Sequence, residues 1–211
     1  VRRGEMERSE IMSDQPIMVG RVLRSSTTNF SIGCTRLIAE QNQMAPEFGA
    51  LVKALSSDGS VAYGLIYNET IEDDAFVRQL VAAGVDNEEY IEDQRQNRQI
   101  PIVVDVLVVG FGRGTDIFHR LPPQPPGTLD RIYACNNAEL VRFSARHDWL
   151  RTVLAAADAP ADQLLAAALR TAAQARPPDQ RESYLVGAGR ELARLLAADL
   201  TRLDGILQQL R

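Results

Sequence analysis

The residue types that most often carry catalysis are scarce in this chain. Cysteine occurs twice, at Cys34 and Cys135, and histidine twice, at His119 and His147. A structural zinc site takes four such ligands in paired spacings such as CxxC or HxxxH, because two ligands from one loop or helical turn must reach the same ion. None of the four stands in such a pair, so the sequence argues against zinc, and no cofactor is expected. Both cysteines fall in or beside strand-like segments and read as reduced, half-buried thiols. Of 23 basic residues all but Lys53 are arginine. The lysine of a phosphate-binding loop follows a glycine run at a helix N-terminus, from which it reaches the β- and γ-phosphates. Lys53 instead stands in Ala50-Leu51-Val52-Lys53-Ala54-Leu55. That alternation reads as a strand with Lys53 facing solvent, and it excludes a P-loop ATPase.

Nucleophilic and acid–base chemistry are equally thin. No Ser-His-Asp order, HExxH or nucleophile elbow occurs. His147 and Asp148 are adjacent in Arg146-His147-Asp148-Trp149, and neighbours on a helix do not face each other. Both histidines read as structural or surface residues. The run Gly110-Phe111-Gly112-Arg113-Gly114-Thr115-Asp116 falls short of the dinucleotide fingerprint and is followed by prolines, so it reads as a glycine-tipped turn. The sequence thus points away from an enzyme, and an enzyme of unrecognised motif is the third reading. Arg21, Arg24 and Arg36 on early strands, with Phe30 among them, are the candidates for a nucleic-acid-binding barrel. The formal net charge of −5 supplies no broad positive field for that second reading, and Phe30 lies in an alternating strand that favours the core.

The elements that position these residues begin after a charged, aperiodic stretch over 1–16, expected to be a flexible tail without a signal-peptide pattern. No apolar run is long enough to cross a bilayer, and the sequence reads as cytoplasmic. From Ile17 the pattern gives short strands at Met18 to Ser25, Phe30 to Leu37, Leu51 to Leu55, Val61 to Tyr67 and Ile100 to Val109, with a last one near Glu139 to Phe143. Such spacing predicts a small barrel or sandwich over 17–143. A helical insertion interrupts it at about 69–99, where nine carboxylates stand against three arginines. Glu88, Glu89, Glu92 and Asp93 in that insertion are the candidate docking residues for a basic partner, or a solvated acidic face.

From Ser144 to Arg211 the spacing is helical, with breaks at Pro160 and at Pro177-Pro178. Leu192, Leu196, Leu203 and Ile206 recur at near-heptad spacing and are expected to form one stripe on a single last helix. The stripe closes either an internal core or a contact between subunits, with self-association favoured.

The stretch Val19-Gly20-Arg21-Val22-Leu23-Arg24-Ser25-Ser26-Thr27-Thr28-Asn29-Phe30-Ser31-Ile32 resembles the start of the HAS barrel, the small β-barrel of HerA helicases and ATP synthase subunits. Phe48-Gly49-Ala50-Leu51-Val52-Lys53 and Val61-Ala62-Tyr63-Gly64-Leu65-Ile66 are similar to its middle strands. Arg120-Leu121-Pro122-Pro123-Gln124-Pro125-Pro126-Gly127, followed by Ile132-Tyr133-Ala134, is similar to its proline-rich exit. In HerA-type proteins the barrel precedes a RecA-like motor, helps assemble the hexamer and contacts partners such as the nuclease NurA. Where that motor would begin, this chain has helices without Walker residues. The resemblance therefore implies an α+β protein, a HAS-like barrel with a helical C-terminal region. Its implied role is that of a non-catalytic assembly or adaptor module, self-associating or docking on a HerA-like ATPase or NurA-like nuclease in DNA processing.

Overall fold

The computed structural model describes residues 17–35, 47–71, 75–84, 86–91 and 101–210. Among the described residues there are seven antiparallel strands: β1 (Met18–Ser25), β2 (Asn29–Thr35), β3 (Leu51–Leu55), β4 (Ser60–Ile71), β5 (Pro101–Arg113), β6 (Asp116–Phe118) and β7 (Arg131–Ala134). Their order is β2-β1-β7-β3-β4-β5-β6, and a further β2–β5 pairing closes six of them into a barrel. The length of β5 makes closure possible. Its first half pairs with β2 from Thr35↔Pro101 to Asn29↔Leu107, and its far end pairs with β6 at Phe111↔Phe118. Of the glycine run, Gly110 to Arg113 belong to β5, and only Gly114, at φ 61°, and Thr115 form the turn to β6.

Side chains alternate across the barrel wall. Val22, Phe30, Ile32, Val52, Ile66, Val104, Val106, Val108 and Ile132 fill the interior. Gly64 marks one place where the strands pack too closely for a side chain. A Cβ there would lie 2.3 Å from Val106 Cγ1 and 2.9 Å from the Leu107 carbonyl oxygen, so only glycine lets β4 and β5 approach this closely.

The opposite faces of β3, β4 and β5 carry a second core. Leu51, Tyr63, Leu65 and Val109 pack there against helices. The helices are α1 (Ala75–Ala82), α2 (Asn137–Phe143), α3 (Trp149–Leu154), α4 (Ala161–Gln174), α5 (Pro178–Leu195) and α6 (Leu200–Gln208), and a helical turn covers 88–91. Burial of Phe143, Trp149, Leu150, Leu164, Leu165, Leu169 and Leu192 binds the C-terminal helices to the barrel wall as one apolar layer. Gly49, at φ 85°, lets the chain entering β3 sit on α4. A Cβ at this position would meet the Ala167 Cβ at 2.6 Å. No described helix is long and apolar enough to cross a membrane.

Two expectations need correction. The segment Glu139 to Phe143 is helical, not a strand, and the last barrel strand is β7, Arg131–Ala134. The cause is a capping box: the Asn136 side chain accepts from the Glu139 backbone N–H, and the Glu139 carboxylate accepts from the Asn136 N–H. The second concerns the last helix. It is two helices, because the chain turns at Leu196 and restarts at Asp199, whose side chain caps α6 by accepting from the Arg202 N–H. Arg202 then pairs with Asp162 at 2.7 Å, and Arg170 donates to the Gln209 carbonyl. These two ties lay α6 alongside α4 in the same direction.

Candidate interaction surfaces

Arg21 and Arg24 lie on β1, and both are engaged by acceptors of this same chain. The Arg21 Nη1 donates to the Leu129 carbonyl at 2.9 Å. Arg24 donates through Nε to Ser31 Oγ at 2.9 Å, and its Nη2 lies 3.4 Å from Asp105 Oδ1. Asp105, on β5, is the hub of this outer-wall cluster. It accepts from Ser31 Oγ at 2.6 Å and from Asn68 Nδ2 at 3.1 Å. Burial alone would raise its pKa, but the donors Ser31, Asn68 and Arg24 outweigh it and hold the carboxyl below its ordinary value. No motif marks Asp105. The available signal was one carboxylate interrupting the apolar run Ile102 to Val109. Arg36, the third candidate arginine, lies outside the described residues.

Of the acidic candidates, Glu88 and Glu89 are exposed on the turn 88–91, while Glu92 and Asp93 lie outside the described residues. The helix α1 beside them is amphipathic in spacing, yet none of its described residues belongs to either core. Val81 is 77% exposed and Val77 36%.

The near-heptad residues do not form an outer stripe. Leu192, Leu196 and Ile206 are buried inside the second core, and Leu203 packs against it half-buried. The α5–α6 turn folds these positions inward, so they are spent on closing the chain's own core.

Lys53 also departs from expectation. It is half-buried and ion-paired with Glu139, because its face of β3 is roofed by α2. The two thiols are unbridged. Burial, then the Glu69 charge, raises Cys34 to about 11, and burial likewise pushes Cys135 far up. Neither is a ready nucleophile at neutral pH. Among the described residues, no three His, Cys, Asp or Glu side chains are grouped to hold a metal.

The histidines sit where the helical layer meets its supports. His119 follows β6, with Nε2 2.9 Å from the Phe143 carbonyl and its ring edge-on to Phe143. His147 stacks on Tyr184 at 5.3 Å. The Arg176 guanidinium lies 3.6 Å from the centroid of the same tyrosine ring. Desolvation lowers the pKa of both histidines, so both are expected neutral at pH 7.

In comparisons with known proteins, no family model matches the chain, and no curated protein matches it.

Proposed function

We propose that this chain is a non-catalytic assembly or adaptor module whose docking element is the acidic insertion. The observation that carries this reading is Val81, an apolar residue of the amphipathic helix α1 that is 77% exposed. An amphipathic helix gains its stability mainly by burying its apolar face. The carboxylates around it, Glu69, Asp86, Glu88 and Glu89 among them, favour a partner surface that is basic around an apolar centre. The resemblance to the HAS barrel supplies the partner class: a second copy, or a HerA-like ATPase or NurA-like nuclease. The engagement of Arg21 and Arg24 by Leu129, Ser31 and Asp105 argues against the nucleic-acid alternative.

The test is light scattering at micromolar concentration, alone and mixed with a HerA-like ATPase, on wild type and Val81→Glu. A species heavier than the 23.3 kDa chain that the substitution dissociates supports the reading. Neither self-association nor complex formation by the wild type overturns it.

A further inference from the structure

A second site is carried by observations that do not involve α1. Where the helical layer meets the turn between β1 and β2, a cleft of about 440 Å³ opens, lined among others by Tyr67, Leu107, Leu121, Arg151, Thr152 and Asp158. Its size and composition are those of a small-molecule site, an apolar floor with a few polar groups at the edge. Tyr67 and Leu107 form the firm part of the floor, since both pack against the second core. Ala155, Ala156, Ala157 and Ala159 of the α3–α4 connection face them and leave space that larger side chains would fill.

The polar edge has acceptors and donors to spare. Arg146, Arg194 and Arg202 of the helical layer are each paired with a carboxylate, and Arg181 is held by two backbone carbonyls. The side chains of Arg151 and Asp158, by contrast, make no hydrogen bond or close ion pair among the described residues, Arg151 acting only at longer range on Glu191, and both line the cleft. The Tyr67 hydroxyl likewise has no hydrogen-bond partner among those residues, and burial, with the Asp105 and Asp158 charges, raises its pKa further above neutrality, leaving it a donor. The larger groove, about 530 Å³, on the Pro122–Gly127 side of the same barrel end, differs in this respect. Its carboxylates are already occupied, Asp130 by Ser56 and the Gly127 N–H, and Asp58 by Ser60.

We propose that this cleft binds a small zwitterion with an apolar side chain, a free amino acid of the leucine or phenylalanine type. Its side chain lies on Tyr67, Leu107 and Leu121, its carboxylate meets Arg151, and its ammonium meets Asp158. One cation and one anion at the mouth of an apolar cleft select a ligand carrying both charges. An analogue lacking one leaves a protein charge unpaired as the cleft loses water.

Titration calorimetry or ligand-observed NMR on the full chain tests this with L-phenylalanine and L-leucine against 3-phenylpropionate and phenethylamine, which each lack one charge. Saturable binding of either amino acid is expected in the millimolar range or tighter. Each analogue, and each of Arg151→Gln and Asp158→Asn, is expected to weaken binding at least tenfold, about 1.4 kcal/mol. Both positions are exposed, so the variants should melt as the wild type does. No saturation by either amino acid overturns the proposal. So does equal binding of an analogue, or indifference to either substitution. None of these outcomes bears on Val81, so failure here is distinguishable from failure of the assembly reading.

Discussion

Lys53 on β3 and Glu139 on α2 form an ion pair across the junction between barrel and helices, with side chains only 14% and 25% exposed. Glu139 does two jobs at once, because the same carboxylate closes the capping box with Asn136. Removing Lys53 leaves the carboxylate its backbone donor, whereas removing Glu139 strands a partly buried ammonium and opens the α2 cap. Lys53→Met is therefore expected to destabilise the fold by about 1–2 kcal/mol, and Glu139→Ala by about 2–4 kcal/mol, the cap contributing about 1 of these. Urea unfolding measures both. Equal losses would show that the cap carries nothing.

The buried leucines give a second expectation. Because Leu192 and Ile206 are fully enclosed within one chain, Leu192→Ala and Ile206→Ala should each cost about 2–5 kcal/mol. Leu196→Asp should unfold the chain, not split an oligomer into folded protomers. Circular dichroism alongside light scattering separates the two cases, and a folded, lighter Leu196→Asp species would restore the intersubunit stripe.

Much of this fold was legible because strands announce themselves locally. The alternation in Met18 to Ser25 and Leu51 to Leu55 places β1 and β3 at their observed limits. Phe30 faces the barrel interior, as its apolar strand suggested. What was not legible depends on contacts distant in sequence or on a competing local signal. Glu139 to Phe143 has strand-like composition, and the Asn136–Glu139 capping box three residues apart overrides it. The spacing of Leu192 to Ile206 is compatible with one long helix, and only the Asp199 cap with the Arg202–Asp162 tie shows that it breaks. Lys53 reads as solvent-facing because nothing within its own strand reveals that α2 will roof it. The two charges flanking the cleft, Arg151 and Asp158, lie in a segment that reads only as a helix and its end.

Acid should loosen the molecule in two stages. The folded-state pKa values of His119 and His147 lie below their ordinary 6.5. Unfolding then takes up protons as pH falls below that value, so their stabilisation is complete above it and is lost as pH drops through the folded values. The depressed carboxyl of Asp105 acts in the same direction below its ordinary 3.8, a weaker effect than the geometry alone implies because Arg24 is largely exposed. The His147 Nε2 is buried without a partner, so His147→Phe forfeits no hydrogen bond there. That variant should match or exceed wild-type stability near pH 7 and flatten the upper stage of the pH–stability curve. An unchanged curve would assign that stage to His119.

The last expectation concerns Arg176, a buried arginine with no carboxylate partner among the described residues. It is 7% exposed. Its Nη1 donates to the Ala172 carbonyl at the end of α4, its Nη2 reaches the Val141 carbonyl on α2 at 3.4 Å, and its flat face covers Tyr184 of α5. One planar cation thus joins three helices, filling carbonyls that a helix end leaves open and stacking on an aromatic ring. Lysine has the charge but neither the fork nor the plane. Arg176→Lys should therefore cost about 1–3 kcal/mol, since it loses at least one hydrogen bond and the stack. Arg176→Met keeps the aliphatic packing and removes a buried charge, which offsets part of its lost hydrogen bonds. Thermal or urea unfolding of the two variants distinguishes the contributions. If lysine is tolerated as well as arginine, the site needs only a positive charge, and the stacked plane on Tyr184 contributes nothing to holding the helices together.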